Sequence, residues 1–108
     1  MSISSFTPQE VKKLFATARR VLRNPSLDIL RAPKRLPKAR ILVITARRVG
    51  TAPQRNKIRR RLKSIFYEQG MVDGLYDCIV FIKPEGVNSS FEELTQFLLQ
   101  AMQIKESA

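Results

Sequence analysis

Val11, Leu14, Phe15 and Ala18 recur at i, i+3, i+4 and i+7, the stripe of an amphipathic helix, and Lys12, Lys13, Arg19 and Arg20 fall largely off it. Thr7-Pro8-Gln9-Glu10 supplies the start: Thr7 can cap, Pro8 suits the first helical position, and Glu10 completes a capping box three residues on. The spacing predicts a helix from Pro8 to about Val21, broken by Asn24-Pro25-Ser26. Leu27-Asp28-Ile29-Leu30 reads as a short strand ahead of a turn region from Pro33 to Lys38. Ile41 to Thr45 is a run of mostly β-branched residues, too short for a helix and apolar on both faces, as a central strand should be.

Val49-Gly50-Thr51-Ala52-Pro53 then turns the chain. Gly50 is free to take a positive φ, Thr51 or Ala52 sits near the cap, and Pro53 is early enough in the next helix to be tolerated. That second helix runs from Pro53 to Gln69 and stops at Gly70. Tyr76 to Ile82 is another buried strand, ended by Pro84 and Gly86. Ser89-Ser90-Phe91-Glu92-Glu93 is a further capping-box start, and Phe91, Leu94, Leu98 and Met102 continue at helical spacing to about Gln103. Strand, helix, strand over Ile41 to Ile82 is a βαβ pattern, whose strands are usually parallel. The class is therefore α plus β, with three helices against a small sheet.

At 108 residues the chain is one domain, residues 1–108, without an internal repeat or a low-complexity tract. It has no His, which removes the commonest general base and zinc ligand, and Cys78 alone cannot build a thiolate site or an internal disulfide. Protein-borne catalysis and a protein-held metal are both disfavoured, and Cys78 reads as a small inert hydrophobe. No apolar run approaches the roughly 18 residues of a membrane span, and the first residues lack a signal-peptide stretch. The expectation is a cytoplasmic protein with no membrane partner.

Charge changes the picture most. Lys and Arg number 20 against 9 acids, a net charge of +11, which gathers polyanions. The division is uneven: 18 of the cations and only Glu10 and Asp28 precede Phe66, whereas the remainder holds two Lys and seven acids. Nucleic acid is the first candidate partner.

The second helix concentrates this charge. With Ile58 at zero and about 100° per residue, Leu62, Ile65 and Phe66 fall on one side and Asn56, Arg59, Arg60 and Lys63 on the other. Alone, such a face is as often plain solvated surface as a binding surface. Here Arg47 and Arg48 precede it, and the Gly50 turn leads its amides into the positive end of the helix, a natural place for phosphate.

Arg47-Arg48-Val49-Gly50-x-Ala52-x-x-Arg55-Asn56-Lys57-x-Arg59-Arg60 resembles the signature of the bacterial ribonuclease P protein subunit. The resemblance extends to the basic first helix, both central strands and the Ser90-Phe91-Glu92-Glu93-Leu94 helix start. It implies a two-layer α/β sandwich of three helices and a roughly four-stranded sheet. This is the ribosomal protein S5 domain 2-like fold, with a left-handed βαβ crossover that general handedness rules would not give. It also implies that a catalytic RNA with Mg²⁺ hydrolyses the phosphodiester, the protein binding no cofactor itself and needing no further protein partner. The basic helix and its turn would then face that RNA, and a cleft between the first helix and the sheet would hold the 5′ leader of precursor tRNA.

On that resemblance, RNA contacts fall to Arg47, Arg48, Arg55, Asn56, Lys57, Arg59, Arg60 and Lys63, and the leader cleft to Phe15, Val11 and Lys12. Phe15 can stack on an unpaired base or serve as core. The chain departs from the family pattern at Val11, where a second aromatic is common, at Leu27 to Leu30, where an aromatic strand is usual, at Lys57, which replaces an Arg, and at Pro53, which replaces an aliphatic residue. The alternative is a structural RNA-binding protein of ribosomal type with no role in cleavage.

Overall fold

All three helix starts anticipated from the sequence close as reciprocal caps. The Thr7 hydroxyl accepts from the Glu10 N–H at 3.2 Å, and the Thr7 N–H donates to Glu10 Oε1 at 3.0 Å. Thr51 with Gln54, and Ser90 with Glu93, repeat the arrangement at 2.8 to 3.3 Å. Each box satisfies two backbone donors that a helix start otherwise leaves unpaired.

The structure is a computed structural model that describes residues 6–46 and 48–103. In chain order it forms α1 (Pro8–Thr17), β1 (Arg19–Arg23), β2 (Leu27–Pro33), β3 (Ile41–Thr45), α2 (Ala52–Glu68), β4 (Tyr76–Ile82) and α3 (Phe91–Gln103). Short 3₁₀ turns lie at Met71–Asp73 and Pro84–Asn88. β3, β4 and α3 match the sequence reading, and α2 starts one residue earlier, with Thr51 as its cap. Two readings are corrected. The first helix ends at Thr17, because Ala18 turns extended and Arg19–Arg23 pairs with β2 as a strand. A register shift between Arg20 and Leu22 lets the adjacent Val21 and Leu22 both pack on the core, which hides the alternation that would mark a strand. β2, expected to end at Leu30, continues to Pro33 because Arg31, Ala32 and Pro33 pair with Cys78, Asp77 and Tyr76.

The strand order is β1-β2-β4-β3, antiparallel except for β3 and β4, which run parallel with Ile41 opposite Cys78 and Thr45 opposite Ile82. On one face of the sheet Leu27, Ile29, Ile41, Val43, Cys78, Val80 and Ile82 pack against Ile58, Leu62, Ile65 and Phe66 of α2 and Leu94, Leu98 and Ala101 of α3. On the other, Leu14 of α1 sits on Ala32 and Ile79, with Leu30, Leu42, Ile44 and Phe81 only partly covered. This is the α+β arrangement of three helices on a four-stranded sheet.

Polar groups fix the helices to the sheet. Arg31, 2% exposed, stacks on the Tyr76 ring at 4.3 Å and donates to the Ala101 and Met102 carbonyls at 3.2 and 3.3 Å. It thereby places a cation at the negative end of α3. At the start of α1, Arg40 donates to Glu10 Oε2 at 2.8 Å and lies over the Phe6 ring at 4.0 Å. That hydrogen bond holds the Glu10 carboxyl down at about 2. The Arg40 N–H donates to Asp77 at 2.8 Å, although burial still raises the Asp77 carboxyl above its ordinary value.

Candidate nucleic-acid interface

β3 delivers the chain to the basic turn. Arg48 is exposed, Val49 is buried as a plug, and Gly50 adopts φ 64°, where a Cβ would stand 2.8 Å from Val87 and 2.6 Å from Gln54 Oε1. Only glycine meets both demands. Arg55 reaches back from the first turn of α2 and donates to the Gly50 carbonyl at 2.9 Å, bracing the turn against the helix.

Arg59 ties α2 to the end of the strand. One guanidinium nitrogen donates to Thr45 Oγ1 at 2.8 Å and another to Asn56 Oδ1 at 3.3 Å. Both partners are neutral, so the group is aimed without being neutralised. Asn56, Arg60 and Lys63 lie beside it, exposed. Among the described residues, none of Arg59, Arg60 and Lys63 forms an ion pair with a carboxylate. A guanidinium held in this way offers forked donors to a phosphate with little further ordering.

The structure therefore brings Arg48, Arg55, Asn56, Arg59, Arg60 and Lys63 to the end of β3 and the adjoining side of α2. Lys57 is separate: it lies on the other flank of the helix, toward the 3₁₀ turn Pro84–Asn88. Arg47 lies outside the described residues.

The second anticipated region is the sheet face under α1. Leu14 takes the core position of that helix, so Phe15 does not have to. The Phe15 ring is 39% exposed and lies against Phe81 of β4, with centroids 6.0 Å apart and planes at 49°. Val11, one turn earlier, is half-buried, and Lys12 is exposed. Phe81 pairs in register with Ile44, and both are half-buried, so an apolar strip beside α1 remains partly open. Sequence reasoning missed Phe81 and Ile44, because a strand apolar on both faces gives no sign of which residues a short helix will leave uncovered. It also passed over Arg61, whose angle on the helix wheel lies near the apolar side.

Cys78 is fully buried, and burial pushes its thiol up to about 12. Among the described residues there is no grouping of three or more His, Cys, Asp or Glu that could hold a metal ion, and no helix is long and apolar enough to cross a membrane.

A family model described as Ribonuclease P matches residues 7–106. Among solved structures, the ribonuclease P protein of Thermotoga maritima superposes with a TM-score of 0.77 at 19% identity, covering 98% of this chain and 100% of that one. The Staphylococcus aureus ribonuclease P protein gives a TM-score of 0.77 at 13% identity, covering 95% and 94%. A Thermotoga maritima ribonuclease P protein in complex with 1-(4-fluorophenyl)-2-thiourea gives 0.74 at 21% identity, covering 90% and 95%. At these identities the superpositions speak for the fold. No curated protein matches the sequence significantly.

Proposed function

The chain belongs to the ribonuclease P protein family, whose role is maturation of the tRNA 5′ end, and from that premise we propose how its surfaces divide the work. The side of α2 bearing Asn56, Arg59, Arg60 and Lys63, with Arg48 and Arg55 at its approach, meets the phosphates of the catalytic RNA. The cleft of Val11, Lys12 and Phe15 takes the single-stranded 5′ leader of precursor tRNA. The RNA, with its Mg²⁺, carries out the hydrolysis.

The observation that supports this reading best is the Arg59 bridge, which joins the end of β3 to a helix side where, among the described residues, Arg59, Arg60 and Lys63 form no ion pair with a carboxylate. The protein neutralises backbone charge, so its binding weakens with salt by roughly 0.7–0.9 in log–log slope for each phosphate contact. On the other face of the sheet, the half-open Phe15 ring offers a stacking platform, a contact of about 1–3 kcal/mol per base in single-strand binders. Leader and catalytic RNA thus meet separate surfaces of one small domain, which favours a substrate that still carries its leader.

The test is reconstitution. Added to a bacterial ribonuclease P RNA at low Mg²⁺, the protein should stimulate cleavage of precursor tRNA, and complex formation should prefer leader-bearing over mature tRNA. Failure to stimulate cleavage would overturn the proposal.

A further inference from the structure

The surface assigned above uses one side of α2, yet the opposite flank is also cationic and is shaped. Lys57 and Arg61, one turn apart, line a concavity of about 200 Å³ with Gln54 and Ile58 of α2 and Val87 and Asn88 of the 3₁₀ turn. We propose that this niche is a second oxyanion site that takes a backbone phosphate of the RNA, so that α2 works as a ridge with phosphates along both flanks. The inference rests on the reading that α2 meets RNA, and it adds Arg61, Gln54 and Asn88 to the residues that do so.

Four features carry it. First, none of the lining residues is a carboxylate, so the two cations share the niche with no counter-charge, and at i, i+4 they repel one another until an anion arrives. Second, Arg61 is half-buried and held: one guanidinium nitrogen donates to the carbonyl of Ser89, itself buried, at 3.3 Å, which leaves other N–H groups of the fork unused by that bond. Third, Gln54 is oriented by its capping role. Its Oε1 accepts from the Thr51 N–H at 2.8 Å, so the amide has its NH₂ left to donate. Asn88 can contribute an amide donor from the facing wall.

Fourth, the walls are fixed and the size is selective. Ile58 is buried in the core, and the missing side chain of Gly50 is what allows Val87 and Gln54 to approach this closely. The volume lies below the roughly 300–1,000 Å³ of sites that enclose a drug-sized molecule, which suits one tetrahedral phosphate better than a nucleoside.

The experiment compares Lys57→Gln and Arg61→Gln with Arg60→Gln, which lies outside the niche, in the full chain, by measuring affinity for a bacterial ribonuclease P RNA across monovalent salt. Each niche variant should reduce the log–log slope by about 0.7–0.9, as one lost phosphate contact does. Arg61→Lys should recover part of it. If Arg60→Gln loses slope while both niche variants keep it, the niche proposal falls and the wider reading stands. If all three keep the parent slope, the RNA reading of α2 falls, and the niche with it. Lys57 is exposed, so its variant remains informative even if Arg61→Gln disturbs packing at Ser89. A parallel NMR titration with inorganic phosphate, following the Gln54 and Asn88 side-chain amides, separates the sources. Saturable shifts that vanish in Arg61→Gln support an oxyanion site, whereas such shifts combined with an unchanged RNA slope would show a free-anion site and overturn the assignment to RNA.

Discussion

The two faces of the sheet are covered very unequally. Against one, α2 and α3 bring Ile58, Leu62, Ile65, Phe66, Leu94, Leu98 and Ala101, none more than 2% exposed. Against the other, the ten-residue α1 brings a single fully seated side chain, Leu14, and leaves Phe15, Phe81 and Ile44 partly open. The first face is where burial stabilises the fold. The second leaves apolar surface uncovered beside a basic helix, an arrangement that disfavours the free protein slightly and suits it to a single-stranded ligand.

That contrast can be broken at its strong side first. Phe66→Ala should cost about 3–5 kcal/mol of stability in chemical denaturation, since it empties a fully enclosed position. A loss near that of a surface substitution would refute the assignment of stability to the α2 and α3 face. Gly86→Ala should follow. A Cβ there would run into the Ser26 carbonyl oxygen, a main-chain atom that cannot rotate aside, and the forced shift should cost about 1–3 kcal/mol in the same assay.

Phe15→Ala sharpens the weak side. Its effect on folding should be well below that of Phe66→Ala, while affinity for leader-bearing precursor tRNA should drop by about 1–3 kcal/mol and affinity for mature tRNA should hold. The reverse pattern would make Phe15 a core residue. Glu10→Gln should have the smallest effect and a distinctive pH dependence. The carboxyl is depressed to about 2 by Arg40, so its contribution is fully present above the ordinary Glu value near 4.3 and is lost as pH falls through about 2. The melting-temperature gap between parent and variant should therefore be steady above about pH 5 and close toward pH 2.

Much of this fold was legible because local signals agreed. The capping boxes at Thr7 and Ser90, the Gly50 turn and the uninterrupted apolar runs of β3 and β4 each name their element without tertiary information. β1 was not legible. Val21 and Leu22 extend the stripe of α1 without an intervening Gly or Pro, and only pairing with β2 decides the matter. The wheel correctly set Asn56, Arg60 and Lys63 away from the buried side of α2, whereas Arg59, which falls close to Phe66 on that wheel, is half-buried at the edge of that side. The wheel could not reveal that Arg59 bonds Thr45, or that Lys57 and Arg61 meet a 3₁₀ turn nearly thirty residues later, because both facts depend on which elements flank the helix.

Arg31 gives α3 an attachment of a different kind from that of α1. It joins a guanidinium to two main-chain carbonyls over an aromatic ring, partners that acid leaves untouched, whereas α1 is clasped through the carboxylate of Glu10. Acidification should therefore peel the molecule in a set order. Near pH 2 the clasp at the start of α1 slackens while α3 remains moored, so the face proposed for the leader loosens before the α2 and α3 layer does.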